Sequence, residues 1–238
     1  MKKNKKIAIF LAARSGSNRL ANKHFLKIND KLKVIDACIL RLKKTKKINK
    51  IYLCTTKRKE DLKFKSVCKK NKINFFRGST NNVLKRFIDC AKANSIQILV
   101  RITGDCPLID PKLIDKCVNL HLSKRADYTT NTLKLSYPDG LDVEVIKLSA
   151  LLKSQKICKD KYNKEHVTPF IRSSEIFKKY NLKYSKNYSN QRWTLDYKKD
   201  YLFIKRVFSF FSPNIHFSWK QIINSEKKNY RLLNIKNR

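Results

Sequence analysis

The first half of the chain alternates short apolar runs with segments whose apolar residues recur at helical spacing. Apolar runs of this kind are typical of strands covered on both faces of a parallel sheet. Four strands are predicted in this half, at 7–12, 51–54, 74–76 and 96–102. Four helices are predicted between and after them, at 34–45, 60–70, 82–93 and 111–121. This alternation is typical of consecutive β-α-β units and predicts a doubly wound sheet with helices on both faces.

The second half of the chain departs from this simple alternation. Its pattern predicts strands at 127–131, 142–147, 182–184 and 192–195. Helices are predicted at 149–157, 165–173 and 199–210. Because no linker rich in Pro, Gly or Ser divides the chain, we expect a single domain over 1–238. Its core is expected at about 7–211, followed by a basic extension at 212–238.

The charge of the chain is large but evenly spread. Lys and Arg total 56 against 18 Asp and Glu, which gives a formal net charge of +38. Such a charge points first to anionic partners. The lysines lie beside Ile and Asn throughout, as biased coding in an AT-rich genome would produce, whereas nucleic-acid readers concentrate Arg and aromatic residues on one face. A non-catalytic basic protein that binds nucleic acid is therefore an alternative only, and no nucleic-acid partner is expected.

Cysteine usage and hydropathy bear on where the protein works. The seven cysteines are scattered and form no C-x-x-C pair, which indicates reduced thiols and disfavours a zinc site or a disulfide framework. The apolar run at 7–13 is followed at once by Arg14 and is interpreted as a strand rather than a signal peptide. No apolar stretch approaches the roughly 20 residues needed to cross a bilayer. We therefore expect a cytoplasmic protein without membrane insertion.

The loop after the first predicted strand combines glycine with basic residues. Only four glycines occur where ordinary usage gives about 17, and Gly16 is one of them. Ligands of open α/β sheets bind beyond the carboxyl ends of strands, and small residues let a phosphate approach backbone N–H groups. The loop is therefore interpreted as a triphosphate-binding loop, with a plain surface loop as the alternative. Its basic residues are Arg14, Arg19 and Lys23.

Two aspartates follow predicted strands. Asp105 ends the strongest strand of the chain, directly after Gly104, and Asp196 ends the strand predicted at 192–195. Carboxylates at such positions suit Mg²⁺, which takes one or two carboxylates and otherwise prefers water and phosphate oxygens. If the two strands are neighbours, the pair brackets one metal on the phosphates of a nucleotide. A turn cap at Asp105 is the alternative.

Two further segments carry candidate ligand groups. The segment at 77–80, Arg-Gly-Ser-Thr, precedes a predicted helix and is interpreted as part of a base or sugar pocket, although helix capping explains it equally well. Asp139, Asp142 and Glu144 form a cluster in a chain with few acids. Their carboxylates are interpreted as acceptors for sugar hydroxyls or as partners of a cation. His166, within a predicted helix, is a weaker candidate.

Seven segments in chain order together resemble a known family. They are Ala-Arg-x-Gly-Ser-x-Arg-Leu-x-x-Lys at 13–23, Phe-Arg-Gly-Ser at 76–79, Arg-Ile-Thr-Gly-Asp-Cys-Pro-Leu-Ile-Asp at 101–110, Asn-Thr at 131–132, Tyr-Pro-Asp-Gly-Leu-Asp-Val-Glu-Val at 137–145, Glu-His-Val-Thr-Pro at 165–169 and Thr-x-Asp at 194–196. The ordered set resembles the spore coat polysaccharide biosynthesis protein F family. Members of that family are related to acylneuraminate and 3-deoxy-manno-octulosonate cytidylyltransferases.

The resemblance implies a fold and a set of site residues. The fold is α/β, with a doubly wound, Rossmann-like mixed sheet of the nucleotide-diphospho-sugar transferase (glycosyltransferase-A) type. The residues implied to bind the nucleotide are Ala12, Ala13, Arg14, Ser15, Gly16, Ser17, Arg19, Lys23, Arg77, Ser79 and Gly104. Those implied to bind the sugar are Asn131, Asp139, Asp142, Glu144 and His166. The resemblance also implies Mg²⁺ ligation by Asp105 and Asp196, and catalytic roles for Arg14, Lys23 and Asp105.

The function expected from the resemblance is a Mg²⁺-dependent nucleotidyltransferase. It would transfer CMP from CTP to a sugar or sugar acid, release pyrophosphate and serve surface polysaccharide synthesis. Arginine, lysine and Mg²⁺ suit this chemistry because it needs charge neutralisation more than a covalent nucleophile. CTP and the sugar are the expected partners, and a homodimer is the assembly considered. A glycosyltransferase on the same fold is the nearest alternative, with the segment 142–144 as its D-x-D-like pair.

Overall fold

The computed structural model describes residues 6–17 and 19–228. Within this range seven strands form one sheet: β1 (Ile7–Ala12), β2 (Ile51–Thr56), β3 (Asn74–Gly78), β4 (Ile98–Thr103), β5 (Tyr128–Thr130), β6 (Glu144–Lys147) and β7 (Lys179–Asn181). Their order across the sheet is β3-β2-β1-β4-β6-β5-β7. Strand β6 runs antiparallel to β4 and β5, whereas the other six strands share one direction. The predicted doubly wound mixed sheet is confirmed.

Helices cover both faces of the sheet. Those in the described part of the chain are α1 (Val34–Leu42), α2 (Lys63–Lys70), α3 (Val83–Ala93), α4 (Pro111–Ser123), α5 (Leu148–Ile157), α6 (Lys161–His166), α7 (Pro169–Ser173), α8 (Lys198–Phe210) and α9 (Trp219–Lys228). Helix α4 begins as its sequence predicts, because Asp110 accepts a hydrogen bond from the Lys112 N–H at 2.8 Å and Pro111 occupies the first helical position. None of the helices formed by residues 6–17 and 19–228 combines the length and apolar character that crossing a membrane requires.

The central strands are buried on both faces. In β1, Ile9 and Leu11 pack into the apolar cluster on one face, while Ala8 and Phe10 pack into the cluster on the other. All four side chains are fully buried. One short strand therefore supplies both layers of the core, which explains why its sequence is apolar throughout.

Three predicted elements differ from the structure. The edge strand β7 lies at Lys179–Asn181 rather than at 182–184. Residues 192–195 form no strand, because this segment makes a single bridge from Arg192 to Asp139 and then bonds irregularly. The helix predicted at 165–173 is broken between α6 and α7 at Val167, whose φ is 73°.

The core continues past residue 211, where the sequence analysis placed its end. Helix α9, which the pattern did not predict, buries Trp219, Ile222 and Ile223 in the same cluster as β1. Arg41 of α1 holds the segment that precedes α9 in place. The donors of its buried guanidinium reach the carbonyl oxygens of four residues, Leu108, Ile109, Ile215 and Phe217. The last part of the predicted basic extension, 229–238, lies outside the described residues.

Candidate active site

The candidate site lies along one edge of the sheet. Strands β1 and β4 end there, at Ala12 and Thr103, and the antiparallel β6 begins there, at Glu144. Ligands of open α/β sheets bind beyond the carboxyl ends of the parallel strands. Because β6 runs the other way, it contributes its first residue to the edge where its neighbours contribute their last.

A buried lysine joins the two predicted aspartates. The Lys23 side chain is 9% exposed. Its ammonium donates to Asp105 Oδ2 at 2.8 Å, to Asp196 Oδ1 at 3.1 Å and to the Leu195 carbonyl at 3.0 Å. Since both carboxylates touch one nitrogen, their contacting oxygens lie less than about 6 Å apart. Burial alone would raise the pKa of Asp105, but the Lys23 charge holds it below its ordinary value.

Asp196 is fixed by the start of α8 and by two arginines. Its N–H donates to Asp200 Oδ2 at 2.8 Å, and Asp200 lies in the first turn of that helix. Arg19 donates to Asp196 Oδ1 at 2.9 Å, and Arg192 donates to Oδ2 at 2.9 Å. Together with Lys23, three cations thus surround one carboxylate. The structure brings Asp196 to Asp105 from an irregular segment, not from the strand end that the sequence predicted.

The loop after β1 is held by the turn that precedes α2. The Ser15 N–H donates to Asp61 Oδ1 at 2.7 Å, and the Ser15 hydroxyl donates to the Glu60 carbonyl at 3.2 Å. Burial alone would raise the pKa of Asp61, but hydrogen bonds from Thr56 and Ser15 hold it below its ordinary value. Ser17 tightens the turn by donating its N–H to the Ser15 carbonyl at 2.9 Å. Ser15 and Ser17 therefore set the path of the loop.

Arginines surround this loop at the surface. The side chains of Arg14, Arg19 and Arg58 are 54%, 56% and 51% exposed, respectively. Arg14 reaches Glu165 at 3.7 Å, a distance that leaves its guanidinium free to turn toward an anion. Gly16 lies beside Arg58. The loop therefore presents positive charge to solvent next to the buried Lys23.

Gly104 is closely surrounded by other residues of the site. A Cβ there would lie 3.1 Å from His24 Cε1 and 3.2 Å from the Ala12 carbonyl oxygen and from Ala13 Cβ. The Gly104 N–H donates to the Ala12 carbonyl at 2.8 Å, and its assignment to nucleotide binding stays a prediction. His24 packs under this turn, with Nδ1 3.2 Å from the Gly104 carbonyl. Burial lowers the pKa of His24 to about 4, which keeps the ring neutral at ordinary pH.

The three acids of the 139–144 cluster differ in their partners. Glu144 is buried and accepts hydrogen bonds from Tyr128 and Thr168, each at 2.6 Å, and from Arg101. Burial alone would raise the pKa of Glu144, but Arg101 and these hydrogen bonds hold it below its ordinary value. These bonds hold Glu144 in place. Glu144 also lines the smaller of the two cavities described below, and its assignment to sugar binding stays a prediction.

Asp142 faces a cavity instead. Asp139 is paired with Arg192 at 2.9 Å, whereas no described residue donates a hydrogen bond to the Asp142 carboxylate. Desolvation by the cavity walls, with the charges of Asp139 and Glu144, raises the pKa of Asp142 to about 6. Asp142 lines two adjoining cavities of about 220 Å³ and 330 Å³. His166 lines the smaller cavity, next to Tyr162.

Arg77 and Ser79, both predicted to bind the nucleotide, make backbone contacts in the structure. Arg77 donates to the carbonyls that follow β2, at Thr56, Lys57 and Arg58. The Ser79 hydroxyl accepts the N–H of residue 82 at 3.2 Å. These bonds hold β3 and the turn before α3 in place, whereas the N-cap of α3 is Asn82, which accepts the Lys85 N–H at 2.8 Å. Nucleotide binding by Arg77 and Ser79 stays a prediction.

Asn131, predicted to bind the sugar, is also structural. Its amide donates to the Leu141 carbonyl at 2.9 Å, and its amide oxygen accepts the Val143 N–H at 2.9 Å. Only 1% of the residue is exposed. Asn131 therefore closes the connection between β5 and β6. It also lines the larger cavity, and its assignment to sugar binding stays a prediction.

Arg172 is a residue of the site that the sequence analysis did not select. Arg172 lines both cavities and donates to the Thr132 hydroxyl at 2.7 Å and to the Thr132 carbonyl at 2.8 Å. No acid among the described residues forms an ion pair with it. A usable signal was the scarcity of arginine, since only 13 of the 56 basic residues are Arg.

The carboxylate pair fits a small hard cation. Among residues 6–17 and 19–228, no group of three or more His, Cys, Asp or Glu side chains forms a metal cluster. Mg²⁺ does not need three, because it takes one or two carboxylates and fills its octahedral shell with water and phosphate oxygens. Asp105 retains 25% exposure at its side chain, and Asp196 converges on the same point. The donor set therefore suits Mg²⁺ in company with a phosphate ligand.

Comparison with known proteins gives a consistent result. The sequence profile of a family described as cytidylyltransferase matches residues 8–225. The spore coat polysaccharide biosynthesis protein SpsF of Bacillus subtilis is 29% identical over 211 residues, which cover 85% of this chain and 86% of that protein.

Solved structures give the same result. A cytidylyltransferase from Leptospira borgpetersenii superposes with a TM-score of 0.93 and 34% identity, over 99% of both chains. The CTP complex of CMP:2-keto-3-deoxy-manno-octonic acid synthetase superposes with a TM-score of 0.66 over 87% of this chain and 99% of that one. At 12% identity, the second likeness concerns the fold alone.

Proposed function

The chain belongs to the cytidylyltransferase family, and from this we propose that it transfers CMP from CTP to a sugar or sugar acid with release of pyrophosphate. The observation that carries the proposal is the convergence of Lys23, Asp105 and Asp196 at the sheet edge, beside exposed arginines. The name of the Bacillus relative supports surface polysaccharide synthesis as the process served. The cytoplasmic location and the homodimer stay predictions.

The loop after β1 is the proposed triphosphate site. Its exposed guanidinium groups, Arg14 and Arg19, are long and mobile enough to turn toward phosphates, whereas Ser15 and Ser17 fix the backbone beneath them. A strongly anionic ligand is favoured where several cations converge in a partly desolvated cleft. Gly16 keeps the loop surface free of a side chain at its centre.

Asp105 and Asp196 are the proposed Mg²⁺ ligands. When bound, the ion would neutralise charge on the phosphates and on the leaving pyrophosphate. Asp105 remains ionised at ordinary pH because the Lys23 charge lowers its pKa. Asp196 is oriented by its N–H bond to Asp200 and by Arg192.

The two cavities lined by Asp142 are the proposed acceptor site. Arg172 provides a cation with no acidic partner among the described residues, which suits the carboxylate of a sugar acid. Asp142 and His166 provide polar groups for sugar hydroxyls. Because Thr103 also lines the smaller cavity, this site adjoins the turn that carries Asp105.

The chemistry follows from this arrangement. An anionic or deprotonated sugar oxygen attacks the α-phosphorus of CTP in line, the bond from that phosphorus to the β-phosphate oxygen breaks, and pyrophosphate leaves with the electron pair. Positioning and charge stabilisation dominate such transfers. Lys23 and Arg14 supply positive charge at the phosphates, and the arginine and acids of the cavities orient the attacking oxygen.

A thermal-shift comparison of four nucleotides tests the proposal. CTP with Mg²⁺ is expected to raise the melting temperature more than ATP, GTP or UTP, because a ligand that binds only the folded state stabilises it by mass action. Arg14→Ala is expected to reduce the CTP shift without changing the melting temperature of the free protein. Arg206→Ala, which removes an exposed arginine of α8, is the matched control.

The outcomes separate the parts of the proposal. Equal shifts for all four nucleotides would remove the assignment of cytosine but leave the triphosphate site. No shift with any of them would remove nucleotide binding altogether. A normal CTP shift in Arg14→Ala would show that the loop after β1 does not hold the phosphates.

A further inference from the structure

The ammonium group of Lys23 lies between the two proposed metal ligands. Lys23 Nζ lies 2.8 Å from Asp105 Oδ2 and 3.1 Å from Asp196 Oδ1. Its third hydrogen bond goes to the Leu195 carbonyl at 3.0 Å, so all three donors of the ammonium are satisfied. The Lys23 side chain is 9% exposed. This contact is a saturated, desolvated ion pair rather than a passing surface contact.

Asp196 is also neutralised by two arginines. Arg19 and Arg192 each donate to Asp196 at 2.9 Å, on opposite oxygens. A divalent ion that approached this pair would meet the Lys23 charge at close range in a partly buried setting, where charge interactions are screened less than at the surface. Both carboxylates could bind such an ion only if the ammonium left.

A bound triphosphate offers the ammonium another place. Phosphate oxygens accept strong charge-assisted hydrogen bonds from lysine, and the loop that carries Lys23 is the loop proposed to hold them. The exposed arginines of that loop keep the local potential positive, which attracts the nucleotide and repels a free metal ion. Nucleotide and metal are therefore placed to help one another bind.

We propose that Lys23 is an internal counter-ion that excludes divalent cations from Asp105 and Asp196 until a nucleoside triphosphate draws it away. This inference rests on the proposed function, which assigns the two aspartates to the metal. Lys23 then acts as a positioning residue that orders the binding of metal and nucleotide. By linkage, a metal that binds better once the nucleotide is present also tightens the nucleotide by the same factor.

Manganese binding to the nucleotide-free protein gives a direct test. Mn²⁺ alone is titrated into the full chain and free Mn²⁺ is followed by electron paramagnetic resonance, so no sugar and no turnover are needed. Lys23→Met keeps the length and apolar stem of the side chain but removes its charge. We expect Lys23→Met to bind one Mn²⁺ at least about tenfold tighter than the wild type, because the competing cation is gone.

Two further variants locate the effect. Lys23→Met combined with Asp105→Asn should lose the added affinity, because one ligand of the site is removed. Lys85→Met is the matched control, since Lys85 is a lysine of α3 that pairs with Asp89 at 2.6 Å and contacts neither Asp105 nor Asp196. It should bind Mn²⁺ as the wild type does. Circular dichroism and the melting temperature establish that each variant is folded.

The direction of the change in Mn²⁺ affinity in Lys23→Met shows whether Lys23 competes with the metal or supports its binding. If Lys23 only holds the two carboxylates together, its removal lets them repel and weakens Mn²⁺ binding, and that result overturns the proposal. Unchanged affinity in Lys23→Met also overturns it, as does tighter binding that survives Asp105→Asn. Failure of the proposed function would be visible separately, as absence of a CTP thermal shift in the wild type.

Discussion

Gly140 is expected to be the glycine whose replacement costs the most stability. It lies in the turn before β6, with a φ of 101°, which L side chains rarely adopt. A Cβ at this position would lie 2.7 Å from the Trp193 carbonyl carbon and 2.8 Å from the Thr194 nitrogen. Both neighbours are backbone atoms and cannot swing aside as a side chain would.

The magnitude of the Gly140→Ala effect follows from two contributions. A residue with a Cβ in a left-handed conformation costs about 1–3 kcal/mol. Moving a packed backbone segment to relieve contacts below 3 Å costs about 1–3 kcal/mol more, as for other overpacked sites. We therefore expect the free energy of unfolding to fall by about 2–6 kcal/mol, out of the 5–15 kcal/mol typical of domains.

Urea denaturation followed by circular dichroism measures this loss. Gly16→Ala is the matched control, because a Cβ there would meet only Arg58 Nη1, at 3.4 Å, and Gly16 has no left-handed φ. The control is expected to stay within about 0.5 kcal/mol of the wild type. CTP-dependent transfer should also fall in Gly140→Ala, because the Trp193 N–H bonds to the Asp139 carbonyl at 2.7 Å and moves with the turn.

The comparison of the two glycine variants can refute this reasoning. A loss below about 1 kcal/mol in Gly140→Ala, or equal losses at Gly140 and Gly16, would show that the turn relaxes without strain. In that event, the close approach of the 139–141 segment to residues 193–194 would not determine the position of the site.

Two further predictions concern buried charge and pH. Arg41→Met should lower the free energy of unfolding by at least about 3 kcal/mol, because four carbonyls lose their donor. The surface variant Arg206→Met should change it by less than about 0.5 kcal/mol, and equal effects of the two variants in urea denaturation would contradict this prediction. The pKa of Asp142 is about 6 in the fold and about 3.9 in an unfolded chain, so the stability linked to its protonation is full below pH about 4 and lost by pH about 6. The melting temperature of Asp142→Asn, relative to the wild type, should therefore rise across that interval and level off above it, and a flat difference would exclude the raised pKa.

Strands β1, β2 and β4 were predictable because burial on both faces favours apolar residues at nearly every position. β1 is apolar throughout, and β4 is apolar apart from Arg101 and Thr103, while the short length of each run favours a strand over a helix. The edge strand β7 has no such pattern. It is only three residues long and partly exposed, and the sequence placed it one strand length too late.

The segment at 192–195 shows how burial can imitate a strand. Trp193 and Leu195 are buried on alternate positions, which is the pattern of a strand with one covered face. Their N–H groups bond to single carbonyls, at Asp139 and Asp105, instead of to one partner strand. The position of Asp196 was inferred correctly beside Asp105, although the element that carries it was not.

The contacts of charged residues were the hardest part to predict. Lys23 and Asp105 were both recognised, but nothing in their spacing indicated that one would bind the other, because their proximity depends on the pairing of β1 with β4. Helix α9 was missed for a related reason. Its buried residues, Trp219, Ile222 and Ile223, are few and lie among polar neighbours, so only packing against the α1 and α4 region reveals the helix.

Because β6 runs antiparallel to its neighbours, the two sides of the sheet edge are formed by different connections. On one side of β4, the loop after β1 is anchored to the turn before α2, and these anchoring bonds do not involve residues beyond β6. On the other side, the 131–143 connection reaches the edge from β5 and is held by Asn131 and by contacts with Asn181 and Arg192. Replacements in this connection away from Gly140 can therefore reshape the proposed acceptor cavity while the anchors of the proposed phosphate loop stay in place. A fold arranged in this way can exchange one acceptor for another through evolution while keeping the same nucleotide donor.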